Sequence, residues 1–596
     1  MVVGFPVVKA GIAQFGAGWL AVLLMSGCGS NSSSGTQHTG PQFAFTLASS
    51  TATIFPGQTS SSIAMTVTRS GSSASLTATV GGLPSGVTAQ VQSPGTGNTG
   101  SFTLTNSSGT PGAYNVVVSL TDGTYTLTQP LTLTAGVLAT IGASPAGTFQ
   151  VAMSTSFQVA EWNAGFFQDY ANAQPALNTL NPHHTRMQVM SEAIPQTAAS
   201  TWDFSMLDGT VQPILQSSDH NPEFQVAYAP GFMYVNGSTT FTDPTFQQFA
   251  GYAANLVRYY NKGGFTANGT TYQSPSNDPI GYWGIYNEPN GNGITASEYV
   301  QMYNTLVPAM QAVDPTIRIV ALELSDYGNQ EQLYVPTFVQ GVTAHVDVLA
   351  THFYSTCNQS DSDQTVMNTI PGFASGVEYI YSQLKTNAAL TSVPVWILEN
   401  NVNADYEGAN GMSTCNPGQV FVDDHRGSSA FFAAWRPYVF SQVGKAGAQA
   451  LYHWSFQGDQ QYGEFNNTAS TGVLHLSYWV DYWLNKYYGQ TQWQLLNATT
   501  NDDANVEVLA VQQASGPTLV MITDHAVANA ADNNGAGAPR AVLVDVSALG
   551  SFTSAKQLTL DANTSATNGP AEQTVTPAAQ MTVMLGGYGT TILTLQ

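Results

Sequence analysis

The chain has 596 residues, 13 Lys plus Arg against 36 Asp plus Glu, a formal charge of −23 and only 8% charged side chains, where an ordinary globular protein carries about 25%. So few cations leave no basic patch to track a phosphate backbone, which excludes nucleic acid as a main partner and argues against adsorption to an anionic membrane. The 43% hydrophobic content rules out a disordered chain, and Ser, Thr, Asn, Gln and Gly replace charge to give a polar, neutral surface.

Lys9 precedes an apolar run from Ala10 to Leu24, which ends at Met25-Ser26-Gly27-Cys28. A basic start, a short apolar run and small residues at a cut site make a secretory signal over residues 1–27. The run is shorter than the roughly 20 residues of a membrane span. Small residues followed at once by cysteine resemble a bacterial lipobox. That resemblance implies lipidation of Cys28 and anchoring at the cell envelope through the lipid alone. Gly29 rather than Asp after the cysteine implies the outer membrane or cell surface in a Gram-negative host. An ordinary signal with an incidental cysteine is the plainer alternative. Residues 28–41 are Ser- and Gly-rich and read as a flexible tether.

Residues 42–136 hold two charged side chains, Arg69 and Asp122. Val116, Val118 and Leu120 alternate with polar residues up to Asp122-Gly123, and Tyr125, Leu127, Leu131 and Leu133 resume the alternation. This period of two around a turn signal predicts a hairpin in an immunoglobulin-like β-sandwich. It carries no catalytic constellation and reads as a spacer or, alternatively, a sugar-binding module.

From 150 to 490 short apolar strands alternate with helical segments. The expected strands are Ser156–Trp162, His184–Met190, Glu223–Ala229, Gly281–Tyr286, Ile317–Leu322, Val346–His352, Val393–Leu398 and Ala446–Trp454. Between them, Asp243-Pro244 reads as a cap and first-turn proline, and Thr295 with Glu298 as a capping box. Eight such units predict a (β/α)8 barrel. Residues 491–596 return to strands and predict a C-terminal β-sandwich. The fold class is therefore a TIM barrel between two β-sandwiches.

In such a barrel the chemistry sits at the C-terminal ends of the strands. Strand four ends in Tyr286-Asn287-Glu288-Pro289, and strand seven in Leu398-Glu399-Asn400. With so few cations available, a structural ion pair is a weak explanation for either Glu. Two carboxylates across one cleft suit glycosidic cleavage: one protonates the leaving oxygen, and the other attacks the anomeric carbon or activates water.

Asn-Glu-Pro after strand four, with Glu after strand seven, resembles the clan A retaining glycoside hydrolases. The barrel with a terminal sandwich is most similar to glycoside hydrolase family 39, with families 51 and 30 as near alternatives. The resemblance implies Glu288 as acid/base and Glu399 as nucleophile, with carboxyl groups about 5 Å apart. It further implies that Arg186 steadies Glu399, that Tyr354 bonds it, and that His352 belongs to the same His-x-Tyr pattern. Asn287 would bond the hydroxyl beside the anomeric carbon. Trp454 would offer a sugar platform, and Trp162 and Asn163 line the same mouth. A structural pair of Arg186 with another acid, such as Glu192, is the alternative for that residue. Two features depart from the family: no His-Gly follows Arg186, and Glu399-Asn400-Asn401-Val402-Asn403 is an unusual nucleophile context.

For the two roles to differ, Glu288 must hold its proton beside a negative charge while Arg186 keeps Glu399 ionised. The substrate expected is a neutral poly- or oligosaccharide, since a uronic acid would want cations near the mouth. No cofactor and no metal are expected. A non-catalytic surface glycan-binding lipoprotein and a transglycosylase with the same dyad are the competing readings. Cys357 and Cys415, each in a Ser-Thr-Cys-Asn tetrapeptide, read as a disulfide, which export permits. The bridge would join long inserts at Ser355–Met367 and Ala404–Asp424 into one stiff wall beside the mouth.

Overall fold

The computed structural model describes residues 40–159, 165–217, 221–236, 238–325, 329–466, 472–489 and 492–596. The signal, Cys28, the tether through residue 39, and the candidates Trp162 and Asn163 lie outside the described residues. Among the described residues, no helix is long and apolar enough to cross a membrane.

The N-terminal domain is a sandwich of two four-stranded sheets. Its predicted hairpin is present: Gly112–Thr121 pairs antiparallel with Thr126–Ala135. Asp122 accepts from the backbone N–H groups of Thr124 and Tyr125, which closes the turn. Val116, Val118, Leu120, Leu131 and Leu133 bury the inward face, as the alternation requires.

The barrel is closed by eight parallel strands. They run Ala152–Val159, Thr185–Val189, Glu223–Val226, Tyr282–Ile285, Arg318–Leu324, Val348–Thr356, Val395–Asn403 and Ala450–His453. Each expected strand is present, with the first starting earlier than its sequence bounds and the sixth and seventh running longer. The capping box at Thr295 and Glu298 is formed in both directions. The Asp243-Pro244 reading is corrected in part. The helix starts at Gln247 after Phe246, whose φ of 59° interrupts the helical path and leaves Pro244 outside the first turn. Asp243 does cap the helix, accepting from the N–H of Gln248 in its first turn as well as from that of Thr245 before it.

Inside the barrel, Tyr282, Val320, Val348, Trp396, Leu398 and Tyr452 belong to one apolar plug. Alternation sends the other residues outward to the helices. Phe353 stacks on Phe373 of the following helix with centroids 4.0 Å apart. Such a buried ring contributes about 2–3 kcal/mol, and it fixes the sixth strand so that residues 352 and 354 face the axis.

The C-terminal domain is one nine-stranded sheet curled round a common core. One of its interior strands comes from outside the expected boundary. Val137–Phe149 lies between Trp493–Thr500 and Arg540–Asp545. The N-terminal sandwich meets this sheet through Phe55, packed with Ala541 and Leu543.

Candidate active site

Two β-bulges decide which side chains reach the barrel mouth. On the seventh strand, Trp396 and Leu398 face the axis, so strict alternation would next turn Asn400 inward. The pairing with the sixth strand slips at this point: Thr351 opposes Ile397, but His352 opposes Glu399. The extra residue turns Glu399 inward instead. Asn400 faces out, donating to the Phe353 carbonyl and accepting from Arg436. On the fifth strand, the slip between Leu322 and Leu324 leaves Glu323 as the extra residue. Leu322 and Glu323 take φ values of 74° and 48° there.

Arg186 lies fully buried between two carboxylates. Its Nη1 donates to Glu399 Oε1 and its Nη2 to Glu323 Oε2, each at 2.9 Å. Glu192, the alternative partner, is exposed. Burial alone would lower the Arg186 pKa, but Glu399, Glu323 and Glu223 together outweigh it and keep the guanidinium firmly charged. The Trp454 ring covers the cation at 5.7 Å, within cation–π range. This ring is almost fully buried.

Glu399 is held from three sides. Besides Arg186, Gln188 Nε2 donates to its Oε1 at 3.3 Å and the Tyr354 hydroxyl to its Oε2 at 2.9 Å. Asn287 Oδ1 accepts from Gln225 at 2.9 Å and from Arg186 at 3.3 Å, which leaves its amide group beside the Tyr228 hydroxyl.

Glu288 follows the fourth strand with φ 45°. Its N–H donates to the Glu323 carbonyl at 3.1 Å. Its Oε1 lies 2.8 Å from His352 Nδ1. One oxygen of Glu288, one of Glu399 and a ring nitrogen of His352 all lie within 4.8 Å of one another. A quarter of the Glu288 side chain is open to the mouth, yet burial pushes its pKa up to about 7 against the pull of Arg186. The expected cause is thereby corrected, because burial raises this carboxyl rather than a charge on Glu399. Burial also lowers His352 to about 4, so its ring is neutral at ordinary pH.

Glu288, His352 and Glu399 could geometrically hold a cation, as could the buried set His453, Glu464 and Asp481. Each set already contains a carboxylate bonded to arginine, Glu399 to Arg186 and Asp481 to Arg436. That positive charge opposes metal binding.

Cys357 and Cys415 are bonded, with Cα atoms 5.8 Å apart, within the usual disulfide range. The expected pair of long inserts is corrected in part. The helix Asp363–Leu384 begins early and shortens the first insert to 357–362. In the second, Asp405 accepts from Ser413 and from the Cys415 N–H. Tyr406 stands 55% exposed at its start.

Sequence reasoning missed Glu323, Gln188, Gln225 and Tyr228. Gln188 follows Arg186 by the period of two that aims both at the axis. Glu323 directly follows the predicted end of the fifth strand, where the reading rule applied to Glu288 and Glu399 would have found it.

Fold and site together define a (β/α)8 barrel with flanking β-domains and a carboxylate pair at the C-terminal mouth. No protein-family model and no curated protein sequence matches the chain. Solved structures do match in fold. The GH51 arabinofuranosidase from Xanthomonas axonopodis pv. citri aligns over 77% of this chain and 100% of its own, at 13% identity and TM-score 0.56. A monomeric β-xylosidase from Caulobacter crescentus aligns over 77% and 99%, at 13% identity and TM-score 0.52. The GH39 enzyme from Xanthomonas axonopodis pv. citri aligns over 77% and 97%, at 14% identity and TM-score 0.51. The barrel-with-sandwich fold expected from the sequence is thus the fold of these proteins.

Proposed function

We propose that this chain is a retaining glycoside hydrolase that cleaves a neutral poly- or oligosaccharide by double displacement. The observation that carries this reading is the carboxylate spacing. One oxygen of Glu288 and one of Glu399 lie within 4.8 Å of each other, close enough for the retaining separation of about 5 Å. Glu399 is the nucleophile: Arg186, Gln188 and Tyr354 orient it as a carboxylate aimed into the mouth. Glu288 is the acid that protonates the leaving oxygen. It then becomes the base that activates water against the glycosyl-enzyme ester. One N–H of the Asn287 amide donates to Tyr228, and the other would bond the neighbouring sugar hydroxyl. A neutral substrate fits, because Arg186 is already engaged by two carboxylates of the protein.

The acid role has a pH signature. Glu288 holds its proton below about 7, so kcat/KM should fall as pH rises through that value. In Glu288→Gln the alkaline limb should vanish. Activity on substrates with poor leaving groups should drop by about 10²–10⁴-fold, the worth of a positioned general acid. Aryl β-xylosides, β-glucosides and α-L-arabinofuranosides form the first panel. Wild-type activity that continues to rise above pH 8 would exclude Glu288 as the acid.

We further propose export and lipid anchoring at the cell envelope through Cys28. Cys28→Ser should shift the protein from the detergent phase to the aqueous phase on Triton X-114 partitioning. Unchanged partitioning would refute the anchor.

A further inference from the structure

We propose that Glu323 is a positioning residue that keeps the two catalytic carboxylates in register, Glu288 through its backbone and Glu399 through Arg186. This inference rests on the glycosidase reading and adds a third carboxylate to it.

The geometry joins three strands at one residue. The Glu323 carbonyl accepts the Glu288 N–H at 3.1 Å. The Glu323 side chain accepts from Arg186, whose other terminal nitrogen bonds Glu399. Gln225 donates to the same Glu323 oxygen and also to Asn287, next to the acid. Displacing Glu323 would therefore move both ends of the pair.

The chain bears a cost to keep it there. Leu322 and Glu323 both have positive φ, and Glu288 does as well, a conformation that non-glycine residues adopt only when the surroundings impose it. Gly284 on the fourth strand leaves the necessary room. A Cβ there would come 2.1 Å from Glu323 Oε1. That oxygen is buried with no hydrogen-bond partner, a second cost borne at the same residue. Such expense around a residue bonded to both catalytic groups points to function rather than packing.

The charged and titratable groups facing Glu323 come from every neighbouring element. Arg186 lies on the second strand, Glu223 on the third, Glu399 on the seventh, and Tyr299 on the helix behind. His352 Nε2 on the sixth strand lies 4.0 Å away. Burial raises Glu323 to about 8, so near neutral pH it acts through its position rather than its charge: it fixes the Arg186 guanidinium, whose charge pulls on the Glu288 proton.

The test compares Glu323→Ala with the near-isosteric Glu323→Gln, using aryl glycosides and protein labelled with carboxyl-¹³C glutamate. Glu323→Ala should lower kcat by about a hundredfold, the effect of a misplacement near 1 Å, with KM within about threefold. Glu323→Gln, which can still accept from Arg186, should recover about tenfold of that loss. In Glu323→Ala the NMR titration midpoint of Glu288, assigned with Glu288→Gln, should move by about half a pH unit or more as Arg186 shifts against it, and in Glu323→Gln it should return toward the wild-type value. An unchanged kcat in Glu323→Ala, or a Glu288 midpoint that does not move in that variant, would overturn the proposal. The NMR arm does not need turnover. A protein inactive on every glycoside would therefore fail the hydrolase reading while the midpoint still decides the role of Glu323.

Discussion

Replacing Glu399 with glycine should reduce kcat/KM on an activated aryl glycoside by about 10⁴-fold or more, the scale set by removing one member of a unit that acts together. Added azide should then restore turnover by filling the space of the lost carboxylate. It attacks the same face once, so the glycosyl azide should carry the anomeric configuration opposite to that of the substrate. In the wild-type enzyme two displacements should return the original configuration. Proton NMR of the first-formed products reads both outcomes. A wild-type product of inverted configuration would exclude the nucleophile role of Glu399, and so would a Glu399→Gly variant of near-normal activity.

Arg186→Met should be the most destabilising single change at the site. Methionine fills much of the same volume, but it leaves Glu323 and Glu399 facing each other in a buried setting without their cation. Breaking a buried ion pair from one side costs about 3–5 kcal/mol. Burial already pushes Glu323 up to about 8 with the arginine in place, and removing the arginine raises it further. The folded variant then binds more protons than the unfolded chain. Its stability falls as pH rises from the unfolded carboxylate range toward the folded value, and recovers on acidification. Urea unfolding at pH 5 and pH 8 should show the larger deficit at pH 8. A deficit below about 1 kcal/mol at pH 8 would mean that the carboxylates are not held by this charge.

Much of the fold was legible because each barrel strand is a local apolar run bounded by helix signals. The hairpin at Asp122 and the capping box at Thr295 were legible for the same reason: the residues that make them are neighbours in sequence. Glu288 and Glu399 stood out because a chain with so few ionisable groups places both at predicted strand ends. What stayed hidden depends on register. Nothing local announces that the fifth and seventh strands each gain a residue, yet those bulges turn Glu323 and Glu399 to the axis. The Arg186–Glu323 pair joins residues far apart in sequence through such a bulge. The strand Val137–Phe149 was invisible for a related reason. Only Val137, Ala139 and Ile141 keep its alternation, and both of its partners lie beyond the barrel.

That strand sets an order of assembly. It leaves the ribosome before any of the barrel, yet both of its neighbours in the sheet are synthesised after the barrel is complete. Until then its edges stay unpaired, and the C-terminal sheet cannot close without it. The barrel is therefore an insertion into the sheet domain rather than a bead beside it. Residues 137–596 form the smallest piece that gene shuffling could transfer with both cores intact. The N-terminal sandwich, which shares only the small apolar cluster of Phe55, Ala541 and Leu543 with that sheet among the described residues, is the part that recombination could exchange at least cost to either core.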